Sequence, residues 1–521
     1  MELYSPTDSV KLIKNKIGST GVAAFFTTLV VGILTHMPAL VSEIPNHDGL
    51  QSMYFDQNMI TSGRFFLGLA CGISSYYYIP WLTGILAIFY LSIASILLIK
   101  VLNVKNPLIA GLMGALLVTF PVIASDFAYV FTMDGYLLGV LLAILSVYLV
   151  KNFKYGFIFG GVALSLSMGI YQAYLPLAII LSMYMVMVRL FEESDDSVSK
   201  RITDSLKYLY MGVIGAGLYY LLLNILLKIQ GKELDTYQGI DSLGATGGFD
   251  LIKTLKSMVS DFVIFSLKGN VLFNNGVTAC IFICFMLVSI VSLIALVIKR
   301  KLYKNIFFYI ALAVFVLIMP LACNVIFVIS PEVNYHLLMR YQWVLLYIIG
   351  LSLADKTLNL YSFGNMRAGL LWAVLFSSVL ASFSFAVQDN IAYSNLHKKY
   401  EKTYSYAVRL LDRMETTEGY YPGIPVYMIG VIGDKNYPVT DITGQVTESM
   451  IGLNGDFLIY QPENYALFFK YYLGTEVNFV DINEYRIYFE DWYQEMPSFP
   501  MTGSVVIKDG IMIVKTENKN E

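Results

Sequence analysis

The chain is 521 residues long, 57% hydrophobic and only 14% charged, with a mean hydropathy of +0.62. Soluble domains carry about a quarter charged residues, so this composition excludes a soluble multi-domain enzyme, a disordered chain and a collagen. A net charge of −3 excludes recognition of nucleic acid through a basic surface. Four scattered cysteines (Cys71, Cys280, Cys284 and Cys323) form neither a disulfide framework nor a paired metal-ligand spacing.

Runs of about 17–25 apolar residues mark helices that cross a bilayer. Eleven occur, at 20–41, 79–99, 107–125, 135–150, 156–170, 174–190, 208–228, 276–298, 305–329, 335–354 and 368–387. The fifth is short. The break Tyr171-Gln172-Ala173-Tyr174, with Pro176 just behind it, separates it from the sixth. One helix over 156–190 would be roughly 50 Å long, so a tight re-entry is expected there instead. Lys11, Lys14 and Lys16 precede a first apolar run too long for a cleavable signal. With the N-terminus inside, the inner segments hold 17 Lys and Arg and the outer ones 7. The positive-inside rule therefore puts the N-terminus in the cytoplasm, and an odd number of spans puts everything after 388 outside. The expected fold is an all-α polytopic cell-membrane protein of about eleven transmembrane helices over 1–388. Its outer loops fall at 42–78, 125–134, 229–275 and 330–341, and a small extracytoplasmic α/β domain follows at 389–521.

Three outer segments carry more than a turn needs. The first loop is too long for a turn and too polar to span. The loop 229–275 has a Gly-rich tip, 239–248, and then an amphipathic stretch, Phe249 to Leu267, expected to lie on the membrane surface. The tail holds 11 basic and 19 acidic residues. It reads as a helix near 400–415, a strand at Pro425–Gly430 and a closing hairpin from Ser504 to Val514 that turns at Lys508-Asp509-Gly510. Repeats of solenoid period and inverted repeats of the transporter kind are not visible.

An ionisable residue at mid-bilayer costs about 2.5–3.5 kcal/mol on insertion scales, so those retained beside spans call for a function. They gather on the outer side: Glu43, His47, Asp48 and Asp56; Asp126 and Asp134; Glu332, His336 and Arg340; and Arg64 in the first loop. In Glu43-Ile-Pro-Asn-His-Asp48-Gly49 a carboxylate directly after a span suits a general base acting on a hydroxyl; Asn, Asp and Gly also suit a plain turn. Arg64, beside Phe65 and Phe66, offers a fork of donors that matches phosphate, or snorkels at the interface. Asp126 and Asp134 lie in a short, strongly apolar loop with Tyr129. They can orient sugar hydroxyls, bind a metal weakly or carry the catalysis, and Asp134 can instead cap the next helix. Tyr171-Gln172-Ala-Tyr174 supplies aromatic faces and an amide for a sugar ring, or an interfacial belt. His336 and Arg340, four residues apart, would share a helix face as a second phosphate site. HExxH, CxxC, GxSxG, Walker A and GxGxxG are absent. No cofactor is indicated, and a divalent cation is left open without a ligand motif.

The order of these short motifs resembles the bacterial Gtr type II glucosyl transferase family. The first span is followed by Asn46-His47-Asp48-Gly49 and Ser62-Gly63-Arg64-Phe65. Asp126-Phe-Ala-Tyr129 through Asp134-Gly-Tyr136 come next, then Tyr171-Gln172-Ala173. The end of the chain adds Met496-Pro-Ser-Phe-Pro500, Gly503-Ser504-Val505 and Asp509-Gly510-Ile-Met-Ile-Val514-Lys515. The resemblance implies a polytopic glycosyltransferase of the GT-C type. Such an enzyme takes a sugar, typically glucose, from a polyprenyl-phosphate donor in the bilayer and moves it to an extracytoplasmic cell-surface glycan acceptor. It implies a first-loop acid, Asp48, as base and Arg64 as the holder of the donor phosphate. The acids of this loop are single and spaced, which leaves the base open among Asp48, Asp126 and Asp134 and argues weakly against an obligatory metal.

Two other classes compete. A transporter or flippase for a lipid-linked glycan would want charges along a path to both sides, broken helices in paired halves and no large one-sided tail. A surface-polymer polymerase or an O-acyltransferase is a different membrane enzyme, and the latter would want a mid-membrane histidine. The one-sided acids favour the glycosyltransferase.

Overall fold

A computed structural model describes residues 5–53, 56–72, 74, 76–191, 196–236, 251–268, 276–330, 333–361, 364–432, 443–448, 450–459, 463–480, 491–492 and 494–517. The Gly-rich tip at 239–248 and Glu332 lie outside them. The chain is mostly helical. It divides into two compact units, the first made of Met1–Ser42, Tyr54–Asn390 and Ser449–Ile451, the second of Glu43–Met53, Ile391–Glu448 and Gly452–Glu521.

In chain order, α1 (Pro6–Val41) starts on a Ser5 cap and kinks at Gly18. The six-residue α2 (His47–Ser52) and the single turn α3 (Leu67–Ala70) lie in the first loop. The helix α4 (Pro80–Leu102) follows, its last carbonyls at Lys100 and Val101 accepting from Lys151 Nζ at 2.7 and 2.8 Å. The helix α5 (Pro107–Thr119) begins on the residues most suited to a helix start, Asn106 as cap and Pro107 at the first position. Asp355 accepts the Lys105 and Asn106 backbone N–H groups just ahead of it, at 3.1 and 2.9 Å. Pro121 forces Phe120 into extended backbone and separates α5 from α6 (Val122–Ala128), which bends away by 46°. That break lifts Asp126 out of a straight span and onto a separate turn.

The remaining helices of the first unit are α7 (Met133–Asn152), α8 (Gly156–Ile170), α9 (Leu175–Phe191), α10 (Val198–Gln230), α11 (Leu251–Val263), α12 (Gly276–Lys299), α13 (Ile306–Cys323), α14 (Ile326–Ile329), α15 (Val344–Leu360) and the first part of α16 (Asn365–Glu415). Tyr171–Tyr174 is the expected break, a 3-10 turn between α8 and α9. Each of the eleven apolar runs carries helix, but the run 335–354 is α-helical only from Val344, after the 3-10 turns Leu337–Met339 and Tyr341–Trp343. Nine helices among the described residues are long and apolar enough to cross a membrane, or ten if α5 and α6 count as one bent span. The count falls short of eleven because α8 has 15 residues, a rise of about 22 Å against a hydrocarbon core of about 30 Å. The amphipathic stretch is α11, with Ile252, Leu255, Val259 and Val263 exposed as one stripe and Met258 turned inward.

The helix expected near 400–415 is not separate. It is the end of α16, 51 residues long, because nothing between 388 and 400 breaks a helix. In the second unit α17 (Gly444–Thr447) and α18 (Glu463–Phe468) accompany a sheet of order β1-β3-β2. Strand β1 (Val426–Ile429) runs parallel to β3 (Ile511–Lys515), and β2 (Val505–Lys508) pairs antiparallel to β3. The β2–β3 turn falls where expected, with both central residues, Asp509 and Gly510, at positive φ (52° and 78°). Asp-Gly is the dipeptide this turn favours. Tyr427, Met496 and Ile513 form the core beneath the sheet.

Candidate active site

The loop that carries Arg64 is held at several points. After the 3-10 turn Ile60–Ser62, Gly63 adopts φ +73° and Arg64 N–H returns to Met59 O at 3.1 Å. Gln172 Nε2 donates to Ser62 O and to Tyr219 Oη, both at 3.0 Å, and Tyr219 Oη donates to Gly63 O at 3.0 Å. A Cβ on Gly63 would stand 2.4 Å from Gln172 Nε2 and 2.6 Å from Tyr219 Oη, so only glycine fits under this clamp. Beyond Arg64, Phe66 N–H donates to Gly169 O at 2.8 Å, and the Phe65 ring lies against Gly169 itself. The end of α8, the 3-10 turn behind it and Tyr219 from within α10 thus fix the backbone on either side of Arg64.

The Arg64 side chain is half-buried. Its Nη1 donates to Tyr136 Oη at 3.2 Å, and its guanidinium stands 4.6 Å from the centre of the Tyr171 ring. Tyr171 in turn stacks on Tyr136 (5.2 Å, 22°) and meets Tyr174 edge-on at 5.6 Å. Burial works against its charge. The oxygens of Tyr136, Tyr171, Tyr129 and Tyr174 more than offset that and leave its pKa above the ordinary value. Among the described residues no carboxylate pairs with Arg64, and its Nε has no hydrogen-bond partner. His336 lies within its field. Burial first, then the charges of Arg64 and Arg340, push the imidazole down from 6.5 to about 4, so it is neutral at pH 7. His336 Nδ1 is buried and without a partner among the described residues.

Asp126 lies within electrostatic reach of two of the same tyrosines, Tyr136 and Tyr174. It is 0% exposed, and neither carboxylate oxygen meets a hydrogen-bond donor among the described residues. Tyr136 and Tyr174 lie within electrostatic reach of both Arg64 and Asp126, and Tyr341 within reach of Asp126. A buried carboxylate without a donor costs several kcal/mol, and unsatisfied groups of this kind are rare enough to require a reason.

Asp134 is different although equally buried. Its Oδ1 accepts from Ser74 Oγ at 2.6 Å and from Gly135 N–H at 3.0 Å. It lies in the first turn of α7, where the helix dipole favours an acid; the cap position belongs to Thr132. Arg340 is likewise committed: Nη1 and Nη2 donate to Asp261 Oδ2 and Oδ1 at 2.7 and 2.8 Å, Nη2 also to Tyr335 O at 2.8 Å, and the guanidinium stands 3.8 Å from the Tyr335 ring centre. His336 and Arg340 do not share a helix face. They bracket the 3-10 turn Leu337–Met339. Asp48 belongs to the second unit, half exposed on α2, with His47 Nε2 at 3.4 Å from its Oδ1.

The first unit therefore brings together Arg64, His336, Tyr129, Tyr171 and Asp126. Gln172 acts here as a clamp on the Arg64 loop. Sequence reasoning passed over Tyr136 as a site residue, although it stands in a quoted motif. It also missed Tyr219 and Asp261, whose partners are 47 and 79 residues away with no local signal. Among the described residues no three His, Cys, Asp or Glu side chains come together in a way that could hold a metal ion.

Among the described residues, nine or ten helices are long and apolar enough to cross a membrane, and a cation, a tyrosine stack and a donorless carboxyl group lie near one another. These have the character of a membrane protein with a built polar site. The family model for glucosyl transferase GtrII matches residues 37–353, more than half of the chain and all nine candidate side chains. The chain belongs to the glucosyl transferase GtrII family and is a glycosyltransferase. The motifs at 496–515 lie beyond the match. No curated protein and no solved structure matches the chain.

Proposed function

We propose that the protein transfers a glucosyl group from a polyprenyl-phosphate donor to a cell-surface glycan on the outer side of the membrane. The observation that carries this reading is that Arg64 Nε and both carboxyl oxygens of Asp126 lack hydrogen-bond partners among the described residues, within electrostatic reach of the same Tyr136 and Tyr174. A phosphate at headgroup depth suits Arg64, whose Nε is unused, with neutral His336 beside it. The tyrosine faces suit the apolar face of a hexose ring. Asp126 is the base. Its carboxylate takes the proton of the acceptor hydroxyl as that oxygen bonds to the anomeric carbon. The bond from that carbon to the phosphate oxygen breaks, and the electron pair leaves with polyprenyl phosphate, held by Arg64. One displacement at the anomeric carbon inverts it.

Asp134 and Arg340 serve the architecture in this account, and Gln172 positions Arg64. Asp48 remains the rival base that the family resemblance implies. Its half-exposed setting gives it weaker desolvation than Asp126. The test is to supply purified protein in nanodiscs with synthetic polyprenyl-phosphate glucose of defined anomeric configuration and to follow both products. Released polyprenyl phosphate and an inverted linkage are expected; a retained linkage refutes single displacement, and transfer from a nucleotide sugar alone refutes the donor.

A further inference from the structure

A second polar group lies outside the matched residues and is used by nothing described so far. Near the outer end of the apolar part of α16, Asp389 is 0% exposed and Gln388 3% exposed. Both carboxylate oxygens of Asp389 and both amide atoms of Gln388 lack hydrogen-bond partners among the described residues. The hydroxyls of Ser378 and Ser382 on the same helix are also unpartnered. With Phe385, Ser378, Ser382 and Asp389 follow one another at helical spacing and form one buried face. In mid-helix an aspartate caps nothing, so no local backbone need explains it.

Two chains of contact connect this face to the site. Phe385 meets Phe120 edge-on at 5.5 Å, Phe120 meets Tyr341 at 6.4 Å, and Tyr341 feels the charge of Asp126. Asn390 Nδ2 donates to Thr35 O at 3.1 Å, and the next residue of α1, His36, stacks at 4.6 Å on Phe127, the neighbour of Asp126. Phe120 and the Thr35–His36 segment of α1 thus link the neighbours of Asp389 on α16 to the neighbours of Asp126.

We propose that Gln388 and Asp389 form a subsite for the hydroxyl groups of the acceptor hexose. The inference rests on the glycosyl-transfer reading above and adds where the second substrate is held. A carboxylate accepts from two neighbouring hydroxyls. An amide donates to one and accepts from another, and together they match the vicinal hydroxyls of a sugar. Binding the sugar supplies the partners these buried atoms lack, which is how a polar site rejects ligands without hydroxyls.

The test uses the full chain in nanodiscs, synthetic polyprenyl-phosphate glucose as donor and methyl α- and β-hexosides as acceptor probes. For Asp389→Asn the acceptor KM should rise about ten- to a hundredfold while the donor KM does not follow it; Gln388→Ala should show the same split more weakly. Hexoside binding is read separately by saturation-transfer NMR without donor, and the signal of the wild-type chain should disappear in Asp389→Asn. If the wild-type chain binds hexoside through Asp389 yet releases no polyprenyl phosphate, the donor reading fails and the subsite stands. No hexoside signal in the wild-type chain, equal rises in both KM values, or a sodium dependence lost in Asp389→Asn with the acceptor KM unmoved would each overturn the subsite. If Asp389→Asn does not elute as folded protein, Gln388→Ala decides the question on the same readouts.

Discussion

Asp126 and Asp134 are both buried, eight residues apart in one apolar segment, and have opposite roles in this structure. Asp134 has Ser74 and a helix N-terminus, whereas neither carboxyl oxygen of Asp126 has a hydrogen-bond donor among the described residues. Arg64 and Arg340 divide the same way, one unpaired and one locked to Asp261. Breaking the buried Arg340–Asp261 pair from one side should cost about 3–5 kcal/mol. Replacing both residues with apolar ones should cost less, and unfolding of Arg340→Met, Asp261→Leu and the double variant checks this. His336 gives a pH dependence. Its folded pKa, about 4, lies below the unfolded 6.5, so the folded state refuses a proton that the unfolded state accepts. The stability it contributes is complete above pH 6.5 and falls by about 1.4 kcal/mol per pH unit between 6.5 and 4. Chemical denaturation at pH 7 and pH 5 should show this slope in the native chain and a shallower one in His336→Gln. The sequence displayed every one of these ionisable side chains, because charge is scarce in this chain. It did not display which of them had partners, since Ser74 and Asp261 come from distant segments.

At the level of elements, apolar run length and breakers located the helices well. Pro107, Pro121 and the Tyr171–Tyr174 break all fall at helix ends. Length alone misjudged α8, an apolar helix too short to cross by itself. The end of α16 was misread as a separate tail helix because hydropathy stops at 387 while helicity does not. That misreading placed Asp389 at the start of the extracytoplasmic domain and Gln388 at the very end of the spanning one. The Arg64 loop depends on contacts that no pattern shows. Gly63→Ala forces a side chain into positive φ and into Gln172 and Tyr219, a strain of about 1–3 kcal/mol. The variant should lower the melting temperature and weaken donor binding together, whereas Gln172→Ala should mainly raise the donor KM. Unchanged donor kinetics in both variants would show that the clamp does not set Arg64.

For the whole molecule, membrane character follows from composition, and the described helices bear it out. The cytoplasmic N-terminus and the outer tail rest on the distribution of Lys and Arg. A cysteine at Asp509, in the β2–β3 turn, should be labelled by an impermeant maleimide on intact cells once Cys280 and Cys284 are serines. One at Lys301 should be labelled only after permeabilisation, and the reverse pattern would invert the topology. The central claim is that Arg64 holds the donor phosphate while Asp126 takes the proton of the acceptor hydroxyl in one transfer. Its most direct test is the release of polyprenyl phosphate from synthetic donor by Arg64→Ala, Asp126→Asn, Asp134→Asn and Asp48→Asn, side by side in nanodiscs. Turnover should fall by about 100-fold or more in the first two and far less in the last two. Full turnover in Asp126→Asn, with the loss falling on Asp48→Asn, would contradict the account.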